Sequence, residues 1–258
     1  MKYTPFLLIL ALIFFGCGDD KKEEIAIDKA EIYFHDVSAD SSGINFSNNL
    51  RPTDDLNIIE YLYYYNGGGV AVGDINNDGL EDIYLTANQS SDRLYLNLGN
   101  LKFKDVTAEA GLLMDDSWST GVTMQDINND GYLDIYVSKV GNYKNLKTHN
   151  LLYLNNGDVT FEELSSEYGL DFSGFSTQSA FFDYDNDGDM DMYLLNHSVH
   201  TPRSYGNIAL RKQQDSLSGD RFFENKLNEG KALFEDVAES AGIYSSALGY
   251  GLALTVSD

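Results

Sequence analysis

Apolar positions fall into two unlike patterns along the chain. From Phe6 to Phe15 they are almost unbroken, whereas beyond residue 70 they come as short runs separated by Gly, Asn and Asp. One set reads Val70-Ala71-Val72, Ile83-Tyr84-Leu85-Thr86, Leu94-Tyr95-Leu96 and Phe103-Lys104-Asp105-Val106, four strand-like runs with turn residues between them. The third run returns as Leu152-Tyr153-Leu154-Asn155 and more weakly as Phe222-Phe223-Glu224-Asn225. The fourth returns as Phe161-Glu162-Glu163-Leu164 and Phe234-Glu235-Asp236-Val237, each leading to Gly-Leu or Gly-Ile at 169–170 and 242–243, as at 111–112. Units of about 50 residues holding four short strands predict an all-β protein, a β-propeller of four-stranded blades. A β-sandwich or a solenoid would also show many short strands, but would not repeat one loop at such similar positions.

The phase of the repeat carries further expectations. Phe34-His35-Asp36-Val37, leading to Gly43-Ile44, is an extra copy of the fourth run, expected as the outer strand of the last blade. Gly249 to Asp258 parallels the strand that leads into Asp74, so Asp258 is expected to be the first ligand of a fourth loop. About three blades are present, the ring is incomplete, and the chain reads as an N-terminal fragment. Tyr61-Leu62-Tyr63-Tyr64-Tyr65 is expected to be a blade strand, in preference to a sugar-stacking platform. His197 to Gly219 is an insertion, and insertions in repeat proteins map to loops, often on a binding face.

Between the first and second runs of each unit lies an acidic loop. The copies are Asp74-Ile75-Asn76-Asn77-Asp78-Gly79-Leu80-Glu81-Asp82, Asp126-Ile127-Asn128-Asn129-Asp130-Gly131-Tyr132-Leu133-Asp134 and Asp183-Tyr184-Asp185-Asn186-Asp187-Gly188-Asp189-Met190-Asp191. Oxygen side chains stand at positions one, three, five and nine. Position seven (Leu80, Tyr132, Asp189) can offer its backbone carbonyl, and the glycine at six permits a sharp turn. Such a set suits a hard cation with six to eight oxygen ligands, and Ca²⁺ above all, at about three sites in the chain. The loops hold no Cys or His, which disfavours zinc. A single Asn-Asp-Gly could be a plain hairpin turn; three copies with the same oxygen positions favour metal. Leu85, Val137 and Leu194 occupy position twelve, where an EF-hand has Glu, so the ion is expected to staple two strands of one blade. The third loop has Asp185 where the others have Asn76 and Asn128, and is expected to hold calcium longest.

The acidity is concentrated in this pattern. Against 17 Lys and Arg stand 41 Asp and Glu, a formal net charge of −24, which repels phosphate backbones and argues against nucleic acid as a partner. Cys17 is the one cysteine, so no intrachain disulfide forms. Residues 1–17 read as a signal peptide: Lys2, the apolar run, then Gly16-Cys17. A small residue before Cys resembles the lipobox of bacterial lipoproteins, which implies lipidation of Cys17. Residues 18–30, opening Gly18-Asp19-Asp20-Lys21-Lys22-Glu23-Glu24, read as a charged tether that stands a folded domain, residues 31–258, off the membrane. The expected location is the outer membrane of an exporting cell, with surface display.

The phrases Gly-Val-Ala-Val-Gly-Asp-Ile-Asn-Asn-Asp-Gly at 69–79 and Phe-Lys-Asp-Val-Thr-Ala-Glu-Ala-Gly-Leu at 103–112 resemble the FG-GAP/VCBS repeats of integrin α-chain-type propellers, in particular bacterial relatives of the cartilage acidic protein family. That resemblance implies an extracellular, calcium-bound propeller that engages glycan or protein ligands. Hydrolase, P-loop and dinucleotide fingerprints do not occur. Of the histidines His35, His149, His197 and His200, the pair His197-x-x-His200 could hold a transition metal, but a surface or turn role is preferred. The expectation is a surface binding or adhesion module, with no catalytic residues assigned. The alternative is a calcium-dependent polysaccharide lyase or hydrolase built on the same propeller.

Overall fold

Short runs with turn residues at their ends do become strands. A computed structural model describes residues 34–199, 208–229 and 233–257. Beyond the short helix α1 (Ala39–Ser42) the regular structure is almost all β. Strands β1 (Val70–Gly73), β2 (Asp82–Leu85), β3 (Arg93–Asn97) and β4 (Phe103–Asp105) form one antiparallel sheet in chain order. Strands β5 (Ser119–Gln125), β6 (Asp134–Lys139), β7 (Leu151–Asn155) and β8 (Phe161–Glu163) form the second. Strands β9 (Ser176–Phe182), β10 (Asp191–Asn196), β11 (Arg221–Asn225) and β12 (Phe234–Asp236) form the third. Up-and-down sheets of four, each complete before the next begins, are propeller-like blades. The described residues close no ring.

The blades meet at their first strands. A Cβ added to Gly69 would stand 2.7 Å from the Thr120 carbonyl oxygen, and one on Gly121 2.4 Å from that of Thr177, so glycine is needed for these backbones to approach. Thr120 Oγ1 donates to the Ser176 carbonyl at 2.8 Å, tying β5 to β9. Apolar side chains fill the wedges between sheets. Ile75, Tyr84 and Leu94 of blade one pack with Ile135, Val137 and Tyr153 of blade two. Ile127, Tyr136 and Leu152 of blade two pack in turn with Met192, Leu194 and Phe223 of blade three. Val70 and Val72 alternate to the other face of β1 and are exposed.

The turn after the fourth strand of blades one and two docks on the following blade. Gly111 (φ 79°) brings Ala110 to accept the Phe161 N–H at 2.9 Å, and one blade on, Tyr168 beside Gly169 (φ 72°) accepts that of Phe234 at 2.8 Å. Gly43 (φ 83°) takes the equivalent place against blade one, where a Cβ would meet the Phe103 carbonyl oxygen at 2.4 Å.

Several expectations are corrected. Phe34 to Val37 forms no strand, and Phe34 is exposed: an extended run becomes a strand only where a neighbour takes its backbone groups. Residues 249–257 form no strand either, although the Gly249 carbonyl accepts the Ser198 N–H at 2.7 Å, and Asp258 lies outside the described residues. Tyr61 to Tyr65 is no strand but a turn, closed by Tyr64 N–H to the Tyr61 carbonyl and Asn66 N–H to that of Tyr63, both at 3.0 Å. This turn buries Tyr61, Tyr63 and Tyr64 against Trp118 and Phe175, and ring burial outweighs the β-propensity of the run. In the insertion, Ile208–Lys212 is a 3₁₀ turn, and residues 200–207 lie outside the described set. Cys17 and the tether 18–30 lie outside it as well.

Candidate metal centres

Each acidic loop joins the first two strands of its blade. Gly73 pairs with Asp82, Gln125 with Asp134 and Phe182 with Asp191, so the ninth residue opens the returning strand. Inside the loop two residues take left-handed backbone. One is the glycine at position six, Gly79, Gly131 and Gly188 at φ 85°, 91° and 95°; the other is the asparagine at position four, Asn77, Asn129 and Asn186 at φ 58°, 58° and 64°. Asparagine tolerates that region better than most residues, which accounts for its presence at a position with no ligand role.

The turn folds the loop's own N–H groups onto its acidic side chains. In loop one Asp74 accepts from Asp78 N–H at 3.1 Å and Gly79 N–H at 2.7 Å, while Asp78 accepts from Leu80 N–H at 2.8 Å. Loop two repeats this, with Asp126 accepting from Asp130 and Gly131, and Asp130 from Tyr132. Loop three does so with Asp183 accepting from Asp187 and Gly188, and Asp187 from Asp189. These bonds hold the oxygens of positions one, three and five toward one centre. In loop three, ligand atoms of Asp183, Asp185 and Asp187 lie within 4.8 Å of one another. In loops one and two the third position is an amide, and Asn76 and Asn128 donate to Asp78 and Asp130 at 3.0 and 2.9 Å. Asp185 has no such donor, so the third loop carries the greater local repulsion between carboxylates. An all-oxygen set of this kind fits a hard cation such as Ca²⁺.

The ninth position differs from the rest. Asp82, Asp134 and Asp191 are buried, and each carboxylate accepts two backbone N–H groups. For Asp134 these come from Ile127 at 2.9 Å and Asn155 at 2.9 Å. For Asp82 they come from Ile75 and Asn97, and for Asp191 from Tyr184 and Asn225. The ninth residue therefore ties the base of the loop to the third strand of its own blade. Burial raises the carboxyl of Asp82 and pushes those of Asp134 and Asp191 up to about 6, against the pull of the two N–H donors.

A second repeated cluster lies at the opposite end of each blade. In blade one Asp92 accepts from Ala87 N–H at 2.8 Å, Tyr84 OH at 3.2 Å and the Ser119 hydroxyl of blade two at 2.9 Å. In blade two Asn150 accepts from Lys139 N–H at 2.7 Å and donates to Tyr136 Oη at 3.0 Å and Ser176 Oγ of blade three at 2.9 Å. In blade three Asp220 accepts from Asn196 N–H at 2.8 Å and Tyr193 OH at 2.9 Å. Sequence reasoning passed over these residues. The signal was the polar residue two places before each third-strand Leu-Tyr or Phe-Phe, at 92, 150 and 220.

At that end, beside the starts of the first strands, is a cavity of about 560 Å³ lined by Tyr61, Trp118, Thr120, Gln178 and His197 among others. His197 is not at the surface but buried, its Nε2 2.8 Å from Tyr61 Oη and its Nδ1 3.0 Å from Thr177 Oγ1. Burial pushes its pKa down to about 3, so the neutral ring links two hydroxyls. His200 lies outside the described residues.

Three blades with a loop of this geometry define a repeat-built, propeller-like protein, and comparison with known proteins agrees. The FG-GAP-like repeat family model matches residues 74–137 and 140–194, which take in all three loops. The chain is similar to cartilage acidic protein 1 of Xenopus tropicalis, 26% identical over 219 residues, covering 84% of this chain and 32% of that protein. With the Mus musculus protein it is 28% identical over 192 residues, covering 73% and 28%. These likenesses support an FG-GAP-repeat β-propeller family, and the chain spans about a third of the length of the curated relatives it matches. A solved structure of an Agrocybe aegerita lectin recognising non-reducing terminal N-acetylglucosamine superposes at TM-score 0.36 and 19% identity, over 64% of this chain and 36% of that one. A likeness that low carries no argument about this chain.

Proposed function

We propose that this chain is an exported, calcium-binding propeller module that binds an extracellular ligand, glycan or protein, and does not transform it. The observation that carries the reading is the convergence of oxygen side chains in three loops built by one set of hydrogen bonds, reaching three carboxylates within 4.8 Å in loop three. Calcium in these loops offsets repulsion among carboxylates and fixes the first hairpin of every blade. The relatives are named for cartilage and for acidity, and this chain shares the acidity with a net charge of −24. Lipidation at Cys17 would hold it at an outer-membrane surface. The cavity beside Tyr61 and Trp118 is the favoured ligand cleft, since it lies at the blade ends away from the loops and combines ring edges with polar side chains.

Calorimetric titration of the protein with calcium, paired with thermal melts in calcium and in chelator, tests the reading. Binding at every loop and a Tm raised by several degrees in calcium are expected. Heat-silent titration with superimposable melts would overturn it.

A further inference from the structure

Position seven separates the third loop from the other two. In loop one it is Leu80, near Gly99; in loop two it is Tyr132, whose ring lies 3.0 Å from where a Cβ on Gly157 would stand. Both side chains rest against the turn between the last two strands of their blade. In loop three the residue is Asp189, fully buried beneath the short 3₁₀ turn Leu227–Glu229. Its Oδ2 accepts the Asn228 N–H at 3.2 Å, and Asn228 Nδ2 donates to the Asp187 carbonyl at 2.9 Å, so this turn is fastened over the loop. Asp189 Oδ1 is buried with no hydrogen-bond partner, and its carboxyl lies beside that of Asp187. Asp189 stands outside the trio of Asp183, Asp185 and Asp187 that shares the first centre.

A buried carboxylate with one oxygen unsatisfied, placed against a second carboxylate, is costly unless a shared proton or a cation joins them. We propose that the third loop takes a second divalent cation, bridged between Asp187 and Asp189, next to the ion held by Asp183, Asp185 and Asp187. The donors are all oxygen, so the ion is of the calcium class. Loops one and two take one ion each, because Leu80 and Tyr132 supply no side-chain oxygen of carboxylate type. The inference rests on the calcium reading of the loops.

Native mass spectrometry of the full chain, with calcium alone as probe, counts the ions. The wild type is expected to hold one ion more than it has loops, and both Asp189→Asn and Asp189→Leu to lose that one ion. The leucine variant copies the residue of loop one, the asparagine variant is isosteric, and near-UV circular dichroism checks that each stays folded. The wild-type count stands by itself should either variant misfold. One ion per loop in the wild type overturns this inference and leaves the calcium reading intact. A wild type that binds no calcium overturns both.

Discussion

The two ends of each blade solve different problems with the same residue types. At the loop end, Asp74, Asp78 and their counterparts bond to N–H groups two to five residues away, so the oxygens are gathered by local chain geometry. At the other end, Asp92 and Asn150 bond across 27 and 26 residues to hydroxyls of the next blade, Ser119 and Ser176. The loop end presents carboxylates to solvent, where the proposed cations would sit. The other end is buried, satisfied by the protein alone, and joins one blade to the next. The difference teaches that aspartate periodicity by itself does not separate a ligand from a structural acceptor. What separates them is whether the neighbouring N–H groups leave oxygens facing outward.

The ninth loop residue belongs to both patterns, and breaking it should have the largest effect. Asp134→Ala removes the acceptor of the Ile127 and Asn155 N–H groups, both at buried residues. Stranding two buried donors costs about 3 kcal/mol in total. That loss is expected even in chelator, where no ion contributes, and denaturant melts measure it. A loss below about 1 kcal/mol in chelator would assign Asp134 wholly to the metal.

The opposite end should fail independently of calcium. Asp92→Ala leaves Ala87 N–H and two hydroxyls without their acceptor and removes a negative charge from near the buried Lys139, a loss of about 2 kcal/mol. Asp92→Asn, which copies the residue of blade two, should recover most of it, because Asn150 keeps the backbone bond and meets both hydroxyls with its amide. Equal losses in calcium and in chelator are expected. A loss that disappears in chelator would mean that the two ends are coupled through the blade.

This contrast also governs what could be read from the sequence. The loops were legible because their residues are contiguous: Asp-x-Asn/Asp-Asn-Asp-Gly specifies its own turn, with the glycine at position six in left-handed backbone. The four strands per blade were legible because short alternating runs sit between turn residues. Tyr61 to Tyr65 misled because five residues rich in aromatics have strand character locally, while Trp118 and Phe175, far off in sequence, give the rings a better place as a turn. The cluster of Tyr84, Asp92 and Ser119 was invisible for the same reason, since its partners come from two strands, the turn before β3 and two blades. The chain after Phe34 was half legible: the segment through Gly43 docks as its counterparts do, and the run before it has no ladder.

His197 offers the smallest and most selective way to sharpen the comparison, because it perturbs the cavity end and leaves the loops alone. Its ring is packed by Tyr63 at a centroid distance of 4.0 Å and bonded to Tyr61 and Thr177, and burial raises the Tyr61 hydroxyl well above its ordinary pKa. A histidine whose folded pKa is about 3 binds no proton in the folded state while the unfolded chain binds one below its ordinary value of 6.5. Its contribution to stability is therefore complete above pH 6.5 and is lost as pH falls toward 3. By pH 5.5 the loss relative to pH 8 is ~1.4 kcal/mol. The raised carboxyls of Asp134 and Asp191 act in the opposite sense: their contribution is present at low pH and lost as pH rises through about 6. Subtracting the melts of His197→Gln from those of the wild type at each pH cancels these carboxyls and isolates the imidazole. The wild type should lose its advantage over the variant progressively between pH 6.5 and 5.5. A difference that is flat across that window would mean that His197 is protonated in the folded protein and that water reaches it through the cavity.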